Sequence, residues 1–231
     1  MRLLLFDIDG TLIRSNSTGR SVMAYALEQV YGTAGPIDTY RMGGKTDRRI
    51  IADLLTAVNI PLATIEAGLP EVYRLMTEKG TELFPERDMS VCPGVLELLT
   101  ALESRPDAVV GLLTGNIETV APLKLAAAGI EPRQFRLGAY GSDHADRNKL
   151  PQLAMKRARE LTGCTFIGAN TTIIGDTPAD ILCARAGNAT AVAVASGWHA
   201  SHTLSDHHPD YLFDSFMDTS SVLEALFNLR G

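Results

Sequence analysis

The feature that most constrains this chain is a recurring unit in which a short, unbroken apolar run ends in small or acidic residues and is followed by helical periodicity. Leu3 to Phe6 runs straight into Asp7-Ile8-Asp9-Gly10, and further runs cover Ala108 to Leu113, Thr171 to Ile174 and Thr190 to Ala195. Weaker candidates lie at Phe135 to Leu137 and Tyr211 to Phe213. An apolar run without alternation suits a strand buried on both faces, as in a parallel sheet. Between the runs, Val95, Leu96, Leu99 and Leu102, then Leu150, Leu153, Ala154, Ala158 and Leu161, then Ile181, Leu182 and Ala184 before Gly187, follow helical spacing. Strand alternating with helix predicts an open, Rossmann-like parallel α/β sheet with helices on both faces.

The alternation breaks between Ser15 and about Arg87. There Ile50, Ile51, Leu54, Leu55 and Val58 follow a helical pattern behind a cap at Thr46 or Asp47, and Val72, Leu75 and Met76 continue it. This predicts a small all-helical cap domain over residues 15–87, inserted into a core domain of residues 1–14 and 88–231. The joints are Ser15-Asn16-Ser17 and the stretch from Pro85 to Pro93. A length of 231 residues leaves room for a core plus one such insertion.

A net charge of −6 argues against nucleic acid or an anionic membrane as partner, since both select a basic surface. The three cysteines, Cys92, Cys164 and Cys183, form no CxxC and suit a reducing compartment. With an apolar start too short for a signal peptide, a cytoplasmic protein is expected. Its oligomeric state is expected to be monomer or homodimer.

In open α/β sheets ligands collect beyond the carboxyl ends of the strands, which is where Asp7 and Asp9 stand. Thr114-Gly115-Asn116 ends the second strand with a hydroxyl and an accessible turn, the chemistry a phosphoryl oxygen needs. Asp176 ends a later strand, and Asp180 closes a capping box with Thr177. If the first strand lies beside the one from Thr171, Asp7, Asp9, Asp176 and Asp180 converge. Such repulsion is relieved by a cation, and an all-oxygen set suits Mg²⁺. Arg147 or Lys149 supplies the basic partner. His199, His202, His207 and His208 fit no metal-binding spacing and read as a solvated loop.

These four pieces together resemble the haloacid dehalogenase superfamily, and within it the phosphatases similar to phosphoglycolate phosphatase. The first motif matches Asp7, Asp9, Gly10 and Thr11, the second Thr114, and the fourth Gly175, Asp176 and Asp180. The third is best placed on Arg147 from its spacing to Leu153, with Lys149 as the alternative; the usual Lys-Pro-x-Pro form is missing.

The resemblance implies a Mg²⁺-dependent phosphatase acting on a small phosphorylated metabolite through an aspartyl-phosphate. Asp7 would be the nucleophile. Asp9 would be the general acid and base, with a pKa raised by neighbouring carboxylates. Asp7, the Asp9 carbonyl and Asp176 would hold the metal, supported by Asp180. Thr114, Gly115 and Arg147 or Lys149 would hold phosphoryl oxygens, with Gly10, Thr11 and Asn116 beside the substrate. In the cap, Arg41 and Lys45 are the expected contacts to the leaving group. The pair Asp7 and Asp9 points to phosphate esters instead of halides. It also fits a phosphosugar mutase similar to β-phosphoglucomutase; the remaining alternative is a non-catalytic ligand-binding protein on the same fold.

Overall fold

The computed structural model describes residues 1–87 and 89–227. Six parallel strands form one sheet: β1 (Arg2–Phe6), β4 (Ala108–Leu113), β5 (Gly138–Ala139), β6 (Thr171–Gly175), β7 (Thr190–Val194) and β8 (Tyr211–Phe213), in the order β5-β4-β1-β6-β7-β8. Strand β1 is central: Leu3 is in register with Val109 on one side and Thr171 on the other. The first strand is thus beside the strand from Thr171, which brings their acidic ends together.

Alternation of side chains along β1 splits the interior in two. Leu4 and Phe6 belong to one apolar cluster, Leu3 and Leu5 to the other, and all four are fully buried, worth about 2 kcal/mol each. The first face is covered by α4 (Val95–Glu103), α5 (Ala121–Ala127) and α9 (Thr219–Phe227). The second is covered by α6 (Leu150–Thr162) and α7 (Pro178–Ala186), with Leu204 from the short α8 (Ser201–Ser205).

The inserted segment is helical: α1 (Thr18–Tyr31), α2 (Asp47–Thr56) and α3 (Leu62–Leu83). Its buried Val22, Met23, Ile51, Leu54 and Val72 join the apolar cluster on the first face of the sheet. The joints carry a device the sequence did not show, a two-stranded antiparallel ribbon of β2 (Ile13–Arg14) and β3 (Ser90–Val91). Beyond β2, Asn16 and Ser17 take the left-handed conformation, with φ of 42° and 64°. The expected return to the core at residue 88, and its last residues 228–231, lie outside the described residues.

Several expectations need correction. The third strand forms at Gly138–Ala139 instead of 135–137, where Gly138 comes into register with Leu112; Phe135 instead packs its ring edge against Phe6, 6.5 Å away. Leu96 and Leu182 are exposed, because each lies one position off a stripe made by Val95, Leu98, Leu99 and Leu102 or by Ile181 and Ala184. Leu161 is also exposed, since the buried stripe of α6 ends at Ala158. Val58 lies past the end of α2 and faces solvent. The region read as a histidine-rich loop folds in part into α8, with His202, His207 and His208 exposed.

Candidate active site

The Asp7 N–H donates to the Ile174 carbonyl at 2.9 Å, extending the ladder between β1 and β6 by one residue and fixing Asp7 at the strand end. Gly10 turns the chain with φ of 88°, and Thr11, buried behind it, donates its hydroxyl to Asp176 at 3.0 Å. The Gly10 N–H is itself used by the Ile13 carbonyl at 2.7 Å. Gly10 and Thr11 therefore shape and brace the acidic turn.

Asp176 follows β6, and Asp180 sits in the first turn of α7. There the Asp180 carboxylate accepts from the Thr177 N–H at 3.0 Å and hydroxyl at 2.7 Å, so the capping box and the site share one side chain. The other Asp180 oxygen meets Arg147, whose guanidinium also stands 3.1 Å from Asp7.

Arg147 opens a 3₁₀ turn (Arg147–Lys149) capped by the Asp146 carboxylate. With about three residues per turn, Arg147 shares a face with buried Leu150, while Lys149 is turned out to solvent. Of the two candidate cations, the fold brings Arg147 to the acids and leaves Lys149 away from them.

Asp7, Asp176 and Asp180 each present an oxygen such that all three lie within 4.8 Å of one another, and all three residues are buried. Burial pushes the Asp7 carboxyl up to about 6, with Arg147 opposing and Asp180 and Asp9 adding repulsion. Burial, then Asp180 and Asp7, holds Asp176 well above the ordinary carboxylate range. One guanidinium does not balance three buried carboxylates. This crowding, made of oxygen donors alone, fits a hard divalent cation such as Mg²⁺.

Space around Asp176 is tight. A Cβ at Gly197 would stand 1.8 Å from Asp176 Oδ2, and one at Gly10 2.2 Å from it. Gly197→Ala is expected to displace this carboxylate and, with Mg²⁺ as the ion these three acids would hold, to weaken its affinity about 10- to 100-fold, measured by calorimetric titration. An unchanged affinity would remove Asp176 from the donor set.

Asp9 points away from the three acids. Lys124 of α5 contacts both of its oxygens, at 2.7 and 2.9 Å, and Asn116 Nδ2 donates to it at 2.7 Å. The expectation that neighbouring carboxylates raise the Asp9 pKa is thereby overturned. Burial alone would raise it, but the Lys124 ammonium and hydrogen bonds from Lys124, Ser15 and Asn116 hold it below its ordinary value.

Lys124 was missed in the sequence, although it carries a signal there. It occupies the buried stripe of α5 with Ala121 and Leu125, a core position taken by a cation. Thr114 is fully buried, and its Oγ accepts from Asn116 Nδ2 at 2.9 Å, so Asn116 joins Thr114 to Asp9.

The inserted helical segment meets this arrangement through residues 44–47. Thr46, the N-cap of α2, donates its hydroxyl to the Ala145 carbonyl at 2.7 Å. The Asp47 N–H donates to the Gly115 carbonyl at 2.7 Å, and Asp47 Oδ2 accepts from the Ile117 N–H at 3.0 Å. Asp47, read in the sequence only as a possible helix cap, is thus a carboxylate at the edge of the site. Burial pushes its pKa up to about 6, against Lys124 and the Ile117 bond and together with Asp9.

Neither cation expected at the leaving group pairs with Asp9, whose cation is Lys124. Arg41 is exposed, and Lys45 lies 4.0 Å over the Tyr40 ring with Asp53 at 3.7 Å. Lys45 also lines an open groove of about 310 Å³ between its loop and the start of α7, which it shares with Thr46, Arg49, Asp53, Ala179 and the site residue Arg147.

The chain is 26% identical over 245 residues to a probable phosphatase, IndB, of Dickeya dadantii, covering 99% of this chain and 96% of that one. It is 24% identical over 224 residues to a phosphoglycolate phosphatase of Pseudomonas syringae pv. tomato, covering 92% and 76%. A mutant of CbbY from Rhodobacter sphaeroides, solved in complex with xylulose-(1,5)bisphosphate, shares the fold with a TM-score of 0.72 at 19% identity, covering 94% and 96%. The haloacid dehalogenase-like hydrolase family model matches residues 4–185, and with the acidic strand ends and inserted helices in place, the chain belongs to that family.

Proposed function

We propose that the protein is a Mg²⁺-dependent phosphatase that hydrolyses a small phosphate monoester through a phosphorylated Asp7. The observation that carries this reading is the division of labour at the end of β1. Asp7 faces a guanidinium and two further acids, while Asp9, two residues on, faces Lys124 and Asn116. A nucleophile and a separate proton carrier are what two successive substitutions at phosphorus require.

Asp7 attacks phosphorus and the ester oxygen leaves with a proton from Asp9. Water then attacks the acyl phosphate, giving its proton to Asp9 and releasing phosphate and free Asp7. The substrate-free site holds Asp9 ionised, the state needed for the second step. Entry of a phosphate dianion beside it raises its proton affinity for the first.

The Thr114 hydroxyl, whose oxygen already accepts from Asn116, keeps its own proton to donate to a phosphoryl oxygen. The Gly115 N–H and Arg147 complete that cradle and stabilise the charge that develops there. Asp7, the Asp9 carbonyl and Asp176 would hold Mg²⁺, with Asp180 behind them. When bound, the ion neutralises charge on the phosphoryl group and its acidic neighbours.

Phosphate release from p-nitrophenyl phosphate, glycerol 1-phosphate and phosphoglycolate, with Mg²⁺ and with chelator, tests this. Turnover is expected with Mg²⁺ alone. Saturating the metal-depleted protein to one hundred times Kd is expected to stabilise it by about 2.7 kcal/mol, read from the unfolding transition. Turnover that survives complete chelation would refute the metal dependence, and no phosphate from any ester would refute the phosphatase.

A further inference from the structure

The cap segment that reaches the core, residues 41–49, carries four cations and brings none of them to the Asp9 side of the site. Arg41 is exposed, Lys45 is engaged by Tyr40 and Asp53, Arg48 pairs with Glu66, and Arg49 pairs with Asp53 at 2.7 Å. Arg20, one residue beyond Gly19, donates to the carbonyls of Ile37 and Tyr40 within the cap. The charged cap group that does cross to the core is the Asp47 carboxylate, seated on the Ile117 N–H at 3.0 Å.

The leaving oxygen must lie at Asp9, the proton donor. Around Asp9 the available charges are its own carboxylate, Asp47, and Lys124 within the field of both. Gly19 makes the room for that ammonium: a Cβ there would stand 3.2 Å from Nζ. In the substrate-free site two carboxylates share one cation, and once Asp9 carries the proton it donates, Lys124 is balanced by Asp47, so that no cation is left over for an anionic leaving group. On the far side of Asp47 the Tyr73 hydroxyl is buried without a hydrogen-bond partner, within electrostatic reach of Asp47, Arg48 and Glu66. An acceptor and a phenol that can both donate and accept are complementary to alcohol hydroxyls. A carboxylate on the leaving group would face the Asp47 carboxylate with Lys124 already taken up by it, an arrangement that specific sites use to exclude wrong ligands.

We propose that Asp47 is the specificity-determining residue of the cap and that the leaving group is an uncharged, hydroxylated alcohol of the polyol or sugar class. This rests on the phosphatase reading and narrows it, since it excludes esters whose alcohol carries a carboxylate. Glycerol 1-phosphate and phosphoglycolate are a matched test pair, similar in size and different in leaving-group charge.

The kcat/KM of the wild-type enzyme in Mg²⁺ is expected to favour glycerol 1-phosphate by about tenfold or more. Asp47→Asn keeps an acceptor oxygen for Ile117 and removes the charge. It is expected to shrink that preference by about fivefold or more through a gain on phosphoglycolate. The wild-type ratio stands whether or not the variant folds. A wild-type preference for phosphoglycolate, or a ratio unmoved in a folded Asp47→Asn protein, would overturn the inference. In either of those cases release from p-nitrophenyl phosphate would leave the phosphatase standing. Release from none of the three esters would overturn both.

Discussion

Asp7→Asn is expected to lower phosphate release by at least about a thousandfold, because an amide lacks the charge and lone-pair basicity to displace an ester oxygen at phosphorus. The same substitution carries a second, opposite signature. The folded-state pKa of Asp7 is raised from 3.8 to about 6, chiefly by burial and against the attraction of Arg147. A carboxyl raised in this way contributes its stability in full below the unfolded value and loses it as pH rises through the folded one. In metal-depleted protein, the stability of Asp7→Asn relative to wild type should therefore improve between pH 4 and 7. Urea unfolding at several pH values with chelator present reads this directly. A stability difference that stays flat over the range would mean that burial does not hold the Asp7 carboxyl above its ordinary value.

Arg147→Ala should be the most destabilising single change at the site, costing about 3–5 kcal/mol in chelator at pH 7.5. The guanidinium and its partners Asp7 and Asp180 are each more than nine-tenths buried. Removing the cation leaves carboxylates crowded and uncompensated, the costly way to break a buried pair. Saturating Mg²⁺ should recover part of the loss, since a second cation can take up the same repulsion. Arg147→Lys should fall in between, because an ammonium keeps the charge and loses the planar fork that spans two acids. A loss below about 1 kcal/mol in Arg147→Ala would show that solvent already screens the cluster.

The acids of the site were legible because they end strands. An apolar run long enough to be buried on both faces leaves its first polar residue at the sheet's edge, so Asp7 and Asp176 could be placed without knowing how the strands pair. Choosing between Arg147 and Lys149 needed the turn itself. A 3₁₀ turn puts residues three apart on one face, and buried Leu150 then draws Arg147 inward. Where Arg41 and Lys45 point was not legible, because charge in a glycine-bearing loop says nothing about direction. The Lys45 ammonium is held by Tyr40 and Asp53, which folding of the inserted segment brings near it.

What the sequence determined by itself was therefore the layered α/β core, the helical insertion and the acidic strand ends, all consequences of local periodicity in burial. What only the tertiary structure decided was the charge around Asp9. Lys124 lies 115 residues from Asp9, and Asp47 reaches Ile117 across 70 residues of chain. Coulombic partners of that kind follow from how elements pack in space, and no residue spacing encodes them.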